Sequence, residues 1–226
     1  MRAMILAAGR GERMRPLTDT CPKPLLAVAG KPLIVWQIER LVAAGITELV
    51  INHAHLGGQI EAALGDGRKY GARIVYSAEA SALETAGGVV QAMPLLGTEP
   101  FLVVSADIYV ECDYRLLADR VAALGDGTLA YLWMVANRPW HPHGDFALVD
   151  GFLSAAGEPR LTYSNLGIYR AEFFAGVIPG TKLALRPLLD RAIAAGKIQA
   201  ARFDGLWENI GTPAQLAALN TTLQQR

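Results

Sequence analysis

The chain has 226 residues, 52% of them hydrophobic and 19% charged, and its 21 basic side chains balance 21 acidic ones to a formal net charge of zero. A neutral chain with no basic stretch beyond its first loop argues against a nucleic-acid partner, and no apolar run is long enough to cross a bilayer. The two cysteines, Cys21 and Cys112, fit a reducing compartment and match no zinc spacing. Because no signal-peptide pattern is present, we expect a cytoplasmic protein with no membrane partner.

The first predicted element is a short apolar strand over residues 3–6, which runs into the glycine- and arginine-rich loop of "MILAAGRGERMRPLT". Residues 1–31 carry six basic side chains and two acidic ones, an excess of four positive charges (6 − 2) in a neutral chain. Backbone N–H groups near Gly9 and Gly11 can converge on anionic oxygens, because glycine lets a phosphate approach the chain closely. This pattern favours an anion-binding loop over an ordinary surface turn.

Two common phosphate-binding patterns do not fit this loop. The dinucleotide fingerprint needs a third glycine where Met14 follows Gly9 and Gly11, and the Walker pattern needs Ser or Thr where Pro32 follows Lys31. The positive charge that a polyphosphate requires is available from other side chains of the loop region.

Arg13 and Lys23 are the basic side chains that we expect at such a site. Lys23 stands between Pro22 and Pro24, which stiffen the backbone and aim the side chain. The alternative is an ordinary solvated loop lysine, and the local sequence leaves it open.

Strand-like apolar runs alternate with helical patterns as far as residue 136. The predicted strands are residues 3–6, 48–52, 73–76, 101–105 and 129–136, and the predicted helices are residues 34–43, 59–64, 88–93, 183–195 and 213–223. This alternation predicts βαβ crossovers and a Rossmann-like three-layer α/β/α fold around a mainly parallel central sheet. Between the predicted strand 129–136 and the predicted helix 183–195, "NRPWHPHGDF" and the short apolar runs after it predict a small β-hairpin layer over the site.

Asp107 is the best single carboxylate of the sequence. It follows the predicted strand 101–105, at the edge where open α/β sheets bind their ligands. From there an aspartate can hold Mg²⁺ bridged to phosphate oxygens, although a plain turn or helix-cap aspartate is the alternative. The histidine pairs at 53/55 and 141/143 lack a matching acidic or cysteine pattern, so we do not expect a zinc site.

These motifs, taken together and in order, resemble the sugar-1-phosphate nucleotidylyltransferase family over nearly the whole chain. The resemblance rests on "LAAGRGERMRPLT", "CPKPLL", "ETAGGV", "VVSAD", "SNLGIY" and "WENIGTP". The first two are specific as a spaced pair, and the joint order of all six argues against a chance match. The resemblance implies the nucleotide-diphospho-sugar transferase fold and a single nucleotidylyltransferase domain over residues 1–226.

The activity that this resemblance implies is a direct displacement. A sugar-1-phosphate attacks the α-phosphorus of a nucleoside triphosphate, and pyrophosphate leaves without a covalent enzyme intermediate. The implied catalytic residues are Arg13 at the leaving phosphates, Lys23 at the reacting phosphates and Asp107 at Mg²⁺. The implied nucleotide contacts are Ala7, Ala8, Gly9, Gly11, Glu84 and Thr85. The implied sugar contacts are Gly144, Asn165 and Gly167.

The sequence departs from the family pattern at several of these positions. Glu84 and Ala106 stand where the family usually has glycine, and Asn209 stands where it usually has a second carboxylate for the metal. We therefore expect Asp107 and Asn209 as the metal-side residues. A lysine that some relatives place before the "SNLGIY" strand is missing.

The choice of substrate is predicted from the same resemblance. The compact length, "VINHAHLGGQI", "SALETAGG" and "HPHGDFAL" look most like the short N-acetylmuramate-1-phosphate uridylyltransferases of bacterial cell-wall recycling, which use UTP. Mannose-1-phosphate guanylyltransferases and glucose-1-phosphate nucleotidylyltransferases remain alternatives, and a nucleotide-sugar sensor without turnover is a hypothesis of another class. The oligomeric state is not predicted.

Overall fold

The computed structural model describes residues 1–125 and 127–225. The strands are β1 (Ala3–Leu6), β2 (Ala27–Val28), β3 (Lys31–Pro32), β4 (Glu48–His53), β5 (Arg73–Ala78), β6 (Phe101–Ser105), β7 (Ile108–Val110), β8 (Ala130–Val135), β9 (Phe146–Val149), β10 (Phe152–Ser154), β11 (Arg160–Tyr169), β12 (Ile198–Arg202) and β13 (Trp207–Asn209). The helices are α1 (Leu17–Thr20), α2 (Leu33–Ala43), α3 (Gly57–Leu64), α4 (Glu84–Leu96), α5 (Arg115–Ala123), α6 (Arg186–Ala194) and α7 (Pro213–Gln224). Within these residues, no helix is both long and apolar enough to cross a membrane.

A nine-stranded sheet in the order β5-β4-β1-β6-β11-β8-β12-β10-β9 organises the molecule. Strands β5, β4, β1 and β6 pair in parallel, and β8 pairs in parallel with β12. Only β10 and β11 run against the other strands of this sheet. The predicted mainly parallel sheet is therefore found, with β11 as the strand that joins its two halves.

Helices cover both faces of this sheet, because the strands alternate apolar side chains between the two faces. Ala3 and Ile5 of β1 pack into one cluster with α2 and α3, whereas Met4 packs into the opposite cluster with α4 and α6. In α2 the buried residues Ile34, Ile38 and Leu41 follow the helical repeat. The predicted three-layer α/β/α fold is thus confirmed.

The predicted hairpin is formed by β9 and β10. Its turn is Asp150-Gly151, and both residues have positive φ, 49° and 82°, as a tight two-residue hairpin turn requires. The hairpin continues the edge of the central sheet instead of forming a separate layer, and β9 also folds back to pair with the start of β11. It therefore borders the site from the side of the sheet.

The sequence analysis did not predict helices α1 and α5 or strands β2, β3, β7, β12 and β13. Helix α5 lies between β7 and β8, and the short strands β7 and β13 pair antiparallel in a small separate sheet. Strand β7 begins one residue after Asp107, and each of these strands has three residues, too few for a recognisable repeat. Their pairing matters because it brings the end of the chain back to Asp107.

Candidate active site

The loop after β1 forms one wall of a cavity of about 260 Å³ at the carboxyl ends of the parallel strands. Ala7, Ala8, Gly9 and Gly11 all line it, as predicted. The backbone of the loop is held by a hydrogen bond from Ala7 N to Oδ1 of Asn52, at 2.9 Å. The loop is thus fixed at its first residue before it turns over the cavity.

Gly11 is the position where this loop requires glycine. Its φ is +70°, and a Cβ there would lie 3.0 Å from Cγ2 of Thr18 and 3.2 Å from Cβ of Lys23. A side chain would strain the backbone and press on the stem of Lys23, which would have to shift by a few tenths of an ångström. Gly11, the second glycine of the motif, therefore leaves the space that the side chain of Lys23 occupies.

Lys23 and Asp107 meet at the floor of the cavity. Nζ of Lys23 lies 2.5 Å from Oδ2 of Asp107, and the side chains are 11% and 30% exposed. Partial burial strengthens such a charged pair relative to one in water. Two of the predicted catalytic residues, one positive and one negative, therefore lie in contact. The ammonium of Lys23 binds one of the two carboxylate oxygens of Asp107.

The start of α4 forms the opposite wall. Ala82, Glu84 and Thr85 line the cavity, and Glu84 has φ +61°, a conformation that glycine adopts without strain. This backbone explains why a glycine belongs at this position in the family signature and why Glu84 departs from it at a cost. Glu84 nevertheless adopts this left-handed conformation as the first residue of α4 and lines the cavity.

A buried polar pair behind this wall was missed by the sequence analysis. Nδ2 of Asn52 donates to Oε1 of Glu79 at 2.7 Å, and Oε2 of Glu79 accepts from Leu83 N at 2.8 Å. Together with the bond from Ala7, the pair ties the first loop to the segment before α4. Asn52 ends the predicted strand 48–52, so its place at the strand end was the available signal.

A second cavity of about 340 Å³ adjoins the first, since Leu6, Thr85 and Ser105 line both. Asn165 lines it from β11, at a bulge between Tyr163 and Gly167, and has φ +59°. A left-handed residue at a bulge re-aims its side chain, and asparagine tolerates this backbone better than most residues. The predicted sugar-side asparagine is therefore brought to the cleft.

Asn209 lies at the same cavity and beside Asp107. Strand β13 pairs Asn209 with Ile108, and Ile210 N donates to the carbonyl oxygen of Asp107 at 2.8 Å. Oδ1 of Asn209 is buried and accepts no hydrogen bond from any residue that the structure describes. An amide oxygen without a protein partner is a ligand that suits a hard divalent cation, and the strand that carries it is hydrogen-bonded through Ile210 to the backbone of Asp107.

The rest of the second cavity is lined by charged and aromatic side chains that the sequence analysis did not assign to the site: Trp140, His141, Asp145, Phe146, Tyr163, Arg186 and Trp207. Asp145 accepts from Tyr163 N at 2.8 Å and lies 3.2 Å from Nε2 of His141. Burial raises the pKa of the Tyr163 phenol above its usual range. The cavity thus offers neutral and charged polar groups beside aromatic rings, as sugar sites do.

Three predicted residues do not line the cleft. Gly144 and Gly167 are packing positions: a Cβ at Gly144 would lie 2.7 Å from Oδ1 of Asn137, and one at Gly167 would lie 2.5 Å from Cδ2 of Leu132. Arg13 is exposed, and its guanidinium lies against Gly211, where a Cβ would be 2.9 Å from Nη2. The nearby Arg10 and Arg15 pair with Asp19, and the Arg10 hydrogen bond holds the pKa of that carboxyl below its usual range.

Comparison with known proteins identifies the family of the chain. The family model "Nucleotidyl transferase" matches residues 2–148. The chain is 51% identical over 220 residues to N-acetylmuramate alpha-1-phosphate uridylyltransferase of Neisseria meningitidis, covering 96% of this chain and 95% of that protein. It is 37% identical over 230 residues to the protein of the same name from Caulobacter vibrioides, covering 96% and 94%.

A solved structure extends the similarity to the whole fold. The Bacillus anthracis structure, described as a glucose-1-phosphate thymidylyltransferase in complex with a sucrose, superimposes with a TM-score of 0.88 at 20% identity and covers 100% of this chain and 96% of that one. The predicted nucleotide-diphospho-sugar transferase fold is therefore confirmed. On the family match and the two long, similar relatives, the chain belongs to the nucleotidyl transferase family and is a sugar-1-phosphate nucleotidyltransferase by descent.

Proposed function

We propose that the protein transfers a uridylyl group from UTP to N-acetylmuramate α-1-phosphate and releases pyrophosphate. The observation that carries the substrate is the 51% identity to the Neisseria meningitidis uridylyltransferase over nearly the full length of both chains. The observation that supports the chemistry is the pair of adjoining cavities that share Leu6, Thr85 and Ser105. One cavity has the phosphate-binding loop and the other has the polar and aromatic lining of an acceptor site.

The chain's own residues account for a direct displacement. The backbone of the first loop binds the nucleotide, and the ammonium of Lys23 stabilises charge on the transferring phosphate. The acceptor phosphate enters from the second cavity, where Asn165 orients the sugar. No lining residue needs to act as a nucleophile, because the reaction requires positioning and neutralisation of charge.

Arg13 is proposed for the leaving phosphates. It carries no ion pair or hydrogen bond in the part of the chain that the structure describes, and its long side chain extends from the loop that borders the nucleotide cavity. An arginine without a protein partner can follow a polyphosphate at little cost in broken contacts. Its role therefore depends on the bound nucleotide.

We also propose Mg²⁺ as the cofactor, held by Asp107 and by Oδ1 of Asn209. The ion would supply charge neutralisation at the triphosphate oxygens. The buried Oδ1 of Asn209, which has no hydrogen-bond partner among the described residues, and the pairing of Asn209 with Ile108, the residue after Asp107, support this assignment.

The setting that follows from this activity is the reuse of cell-wall sugars in the cytoplasm, where UTP is available. We further propose that residues 1–226 act as one nucleotidyltransferase domain. One sheet that draws strands from both ends of the chain, from β1 to β12, supports this proposal.

An assay of pyrophosphate release tests the function. UTP, GTP, dTTP and CTP are each paired with the 1-phosphates of N-acetylmuramate, N-acetylglucosamine, glucose and mannose. We expect UTP with N-acetylmuramate 1-phosphate to be the best pair. A preference for GTP with mannose 1-phosphate would overturn the substrate assignment, and no pyrophosphate from any pair would favour a sensor that binds nucleotide sugars without turnover.

A further inference from the structure

We propose that Arg186 binds the lactyl carboxylate of N-acetylmuramate and so makes the acceptor site prefer this sugar to N-acetylglucosamine. The proposal rests on the function proposed above. The two sugars share the pyranose ring and the acetamido group, and they differ by the lactyl ether at O3, which carries one negative charge. A site that selects the first sugar therefore needs a cation placed at the ring substituent, away from the phosphate.

Arg186 is held at the second cavity by contacts that leave its terminal nitrogens available. Its Nε donates to Oδ1 of Asp190 at 2.7 Å, and its guanidinium carbon lies 4.6 Å from the centre of the Phe146 ring. Arg186 and Phe146 line the cavity, whereas Asp190 does not. No described residue hydrogen-bonds to Nη1 or Nη2 of Arg186. A carboxylate can accept from these nitrogens while Nε stays bound to Asp190.

The place of Arg186 in its helix is not explained by helix stability. It opens α6, where the helix dipole disfavours a positive charge, and no acidic residue stands in the first turn. Its partner Asp190 follows it by four residues, which is the less favourable order for such a pair. An anion in the cavity would reverse this balance, because the helix N-terminus and the guanidinium would both attract it.

The other charged groups of the second cavity already have protein partners. Oδ2 of Asp145 accepts from Tyr163 N and its Oδ1 lies 3.2 Å from Nε2 of His141, so a carboxylate already stands beside that imidazole. Arg138 does not line the cavity and is paired with Glu208 at 3.0 Å. Of the lining residues that the structure describes, Arg186 is the guanidinium with unengaged terminal nitrogens.

The test measures specificity as a ratio in one preparation. Values of kcat/KM for N-acetylmuramate 1-phosphate and N-acetylglucosamine 1-phosphate are compared at saturating UTP for wild type, Arg186→Gln and Arg186→Lys. We expect Arg186→Gln to lower the value for N-acetylmuramate 1-phosphate by about 10- to 100-fold, the scale of a lost charge-assisted contact, and to leave the other sugar nearly unchanged. Arg186→Lys should give an intermediate ratio, because it keeps the charge without the planar fork.

A change in the substrate isolates the contact. An N-acetylmuramate 1-phosphate whose lactyl carboxylate is converted to an amide should be a poor substrate for wild type, and Arg186→Gln should no longer distinguish it from the acid. The matched control is Arg191→Gln on the same helix, since Arg191 contacts the carbonyl oxygens of Phe173 and Ala175 and does not line the cavity. Its sugar ratio should equal that of wild type.

The outcomes separate the two proposals. If wild type prefers N-acetylmuramate 1-phosphate and Arg186→Gln keeps that preference, the assignment of Arg186 is overturned and the proposed function stands. The assignment is also overturned if Arg186→Gln lowers kcat/KM equally for both sugars and Arg186→Lys distinguishes the acid from the amide as well as wild type does. If wild type uses N-acetylmuramate 1-phosphate but does not distinguish acid from amide, the assignment of Arg186 is overturned and the proposed function stands. If wild type uses neither sugar, the proposed substrate is wrong and this inference is wrong with it.

Discussion

The contact between Lys23 and Asp107 is the residue-scale feature on which the nucleotide side of the site depends. Nζ and Oδ2 are 2.5 Å apart, so without a ligand the ammonium occupies a carboxylate oxygen that a metal ion would use. The lysine therefore neutralises Asp107 in the free protein, and a phosphate and a cation together can replace that contact. The same side chain is placed by the absence of a Cβ at Gly11.

Replacing Lys23 tests both parts of this arrangement. Lys23→Ala should lower kcat/KM by ~10²-fold, the scale expected when a charge aimed at a transferring group is lost. In the absence of nucleotide it should raise the affinity for Mg²⁺, because Asp107 loses its competing cation. Steady-state kinetics and titration calorimetry measure the two effects. If Lys23→Ala keeps a turnover close to that of wild type, Lys23 has no catalytic role and is an ordinary loop lysine.

Glu84 allows a second residue-scale prediction, about stability. Its positive φ strains any residue except glycine, so Glu84→Gly should be more stable than Glu84→Ala by about 1 kcal/mol. The alanine variant is the matched control, because it removes the same carboxylate and keeps the strain. Urea unfolding followed by tryptophan fluorescence gives the difference in the free energy of unfolding. Equal stability of the two variants would show that the backbone at residue 84 relaxes without cost.

At the scale of elements, the strand ends explain what the sequence could predict. The sequence predicted the cavity-lining residues that follow β1 and β6, because the apolar strands over residues 3–6 and 101–105 and the loops after them are visible locally. Arg186 and the pair of Asn52 with Glu79 were not, because their roles arise from contacts between segments far apart in sequence. The two glycines at 144 and 167 were assigned to the sugar, whereas close packing against neighbouring strands is what requires glycine there.

Strand β11 carries a prediction at this scale, because its bulge aims Asn165 into the second cavity. Asn165→Gly should raise KM for the sugar phosphate more than KM for the nucleotide, since sugar groups lose a hydrogen-bonding amide. Glycine is the suitable replacement because it accepts φ +59° without strain, and Asn165→Ala serves as the comparison that adds strain. Kinetics with each substrate varied in turn measure the split. Equal changes in both KM values would contradict the assignment of the two cavities to different substrates.

At the scale of the whole molecule, the site depends on a contact between β13, near the carboxyl end, and β7, in the middle of the chain. Strand β13 pairs with β7 and places Asn209 opposite Ile108, the residue after Asp107. Asp107 itself follows β6 of the nine-stranded sheet. Nε1 of Trp207 donates to the carbonyl oxygen of Ser164 at 2.8 Å, so β13 is also tied to the strand that carries Asn165. One short strand near the carboxyl end thus lines the acceptor cavity and joins Asn209 to Asp107, the two residues proposed for the metal.

This convergence gives the last prediction, that Mg²⁺ enters mainly with the triphosphate. Asparagine offers a neutral oxygen, so Asp107 and Asn209 together supply one negative charge instead of two, and Lys23 already lies on Asp107. The free protein should therefore bind Mg²⁺ poorly, and the triphosphate should supply the missing charge. Asn209→Asp should tighten Mg²⁺ binding without nucleotide, while Asp107→Ala should abolish turnover.

Asn209→Ala completes the comparison, because it removes the buried Oδ1 that has no hydrogen-bond partner among the described residues. If that oxygen binds the metal, the variant should need more Mg²⁺ for half-maximal turnover with the nucleotide held saturating. If Asn209 only braces the turn before α7, Asn209→Ala should keep its activity and lose stability, and Asn209→Asp should leave the calorimetric Mg²⁺ affinity of the free protein unchanged. Because the two roles change different measurements, the pair of variants distinguishes a metal ligand from a structural asparagine.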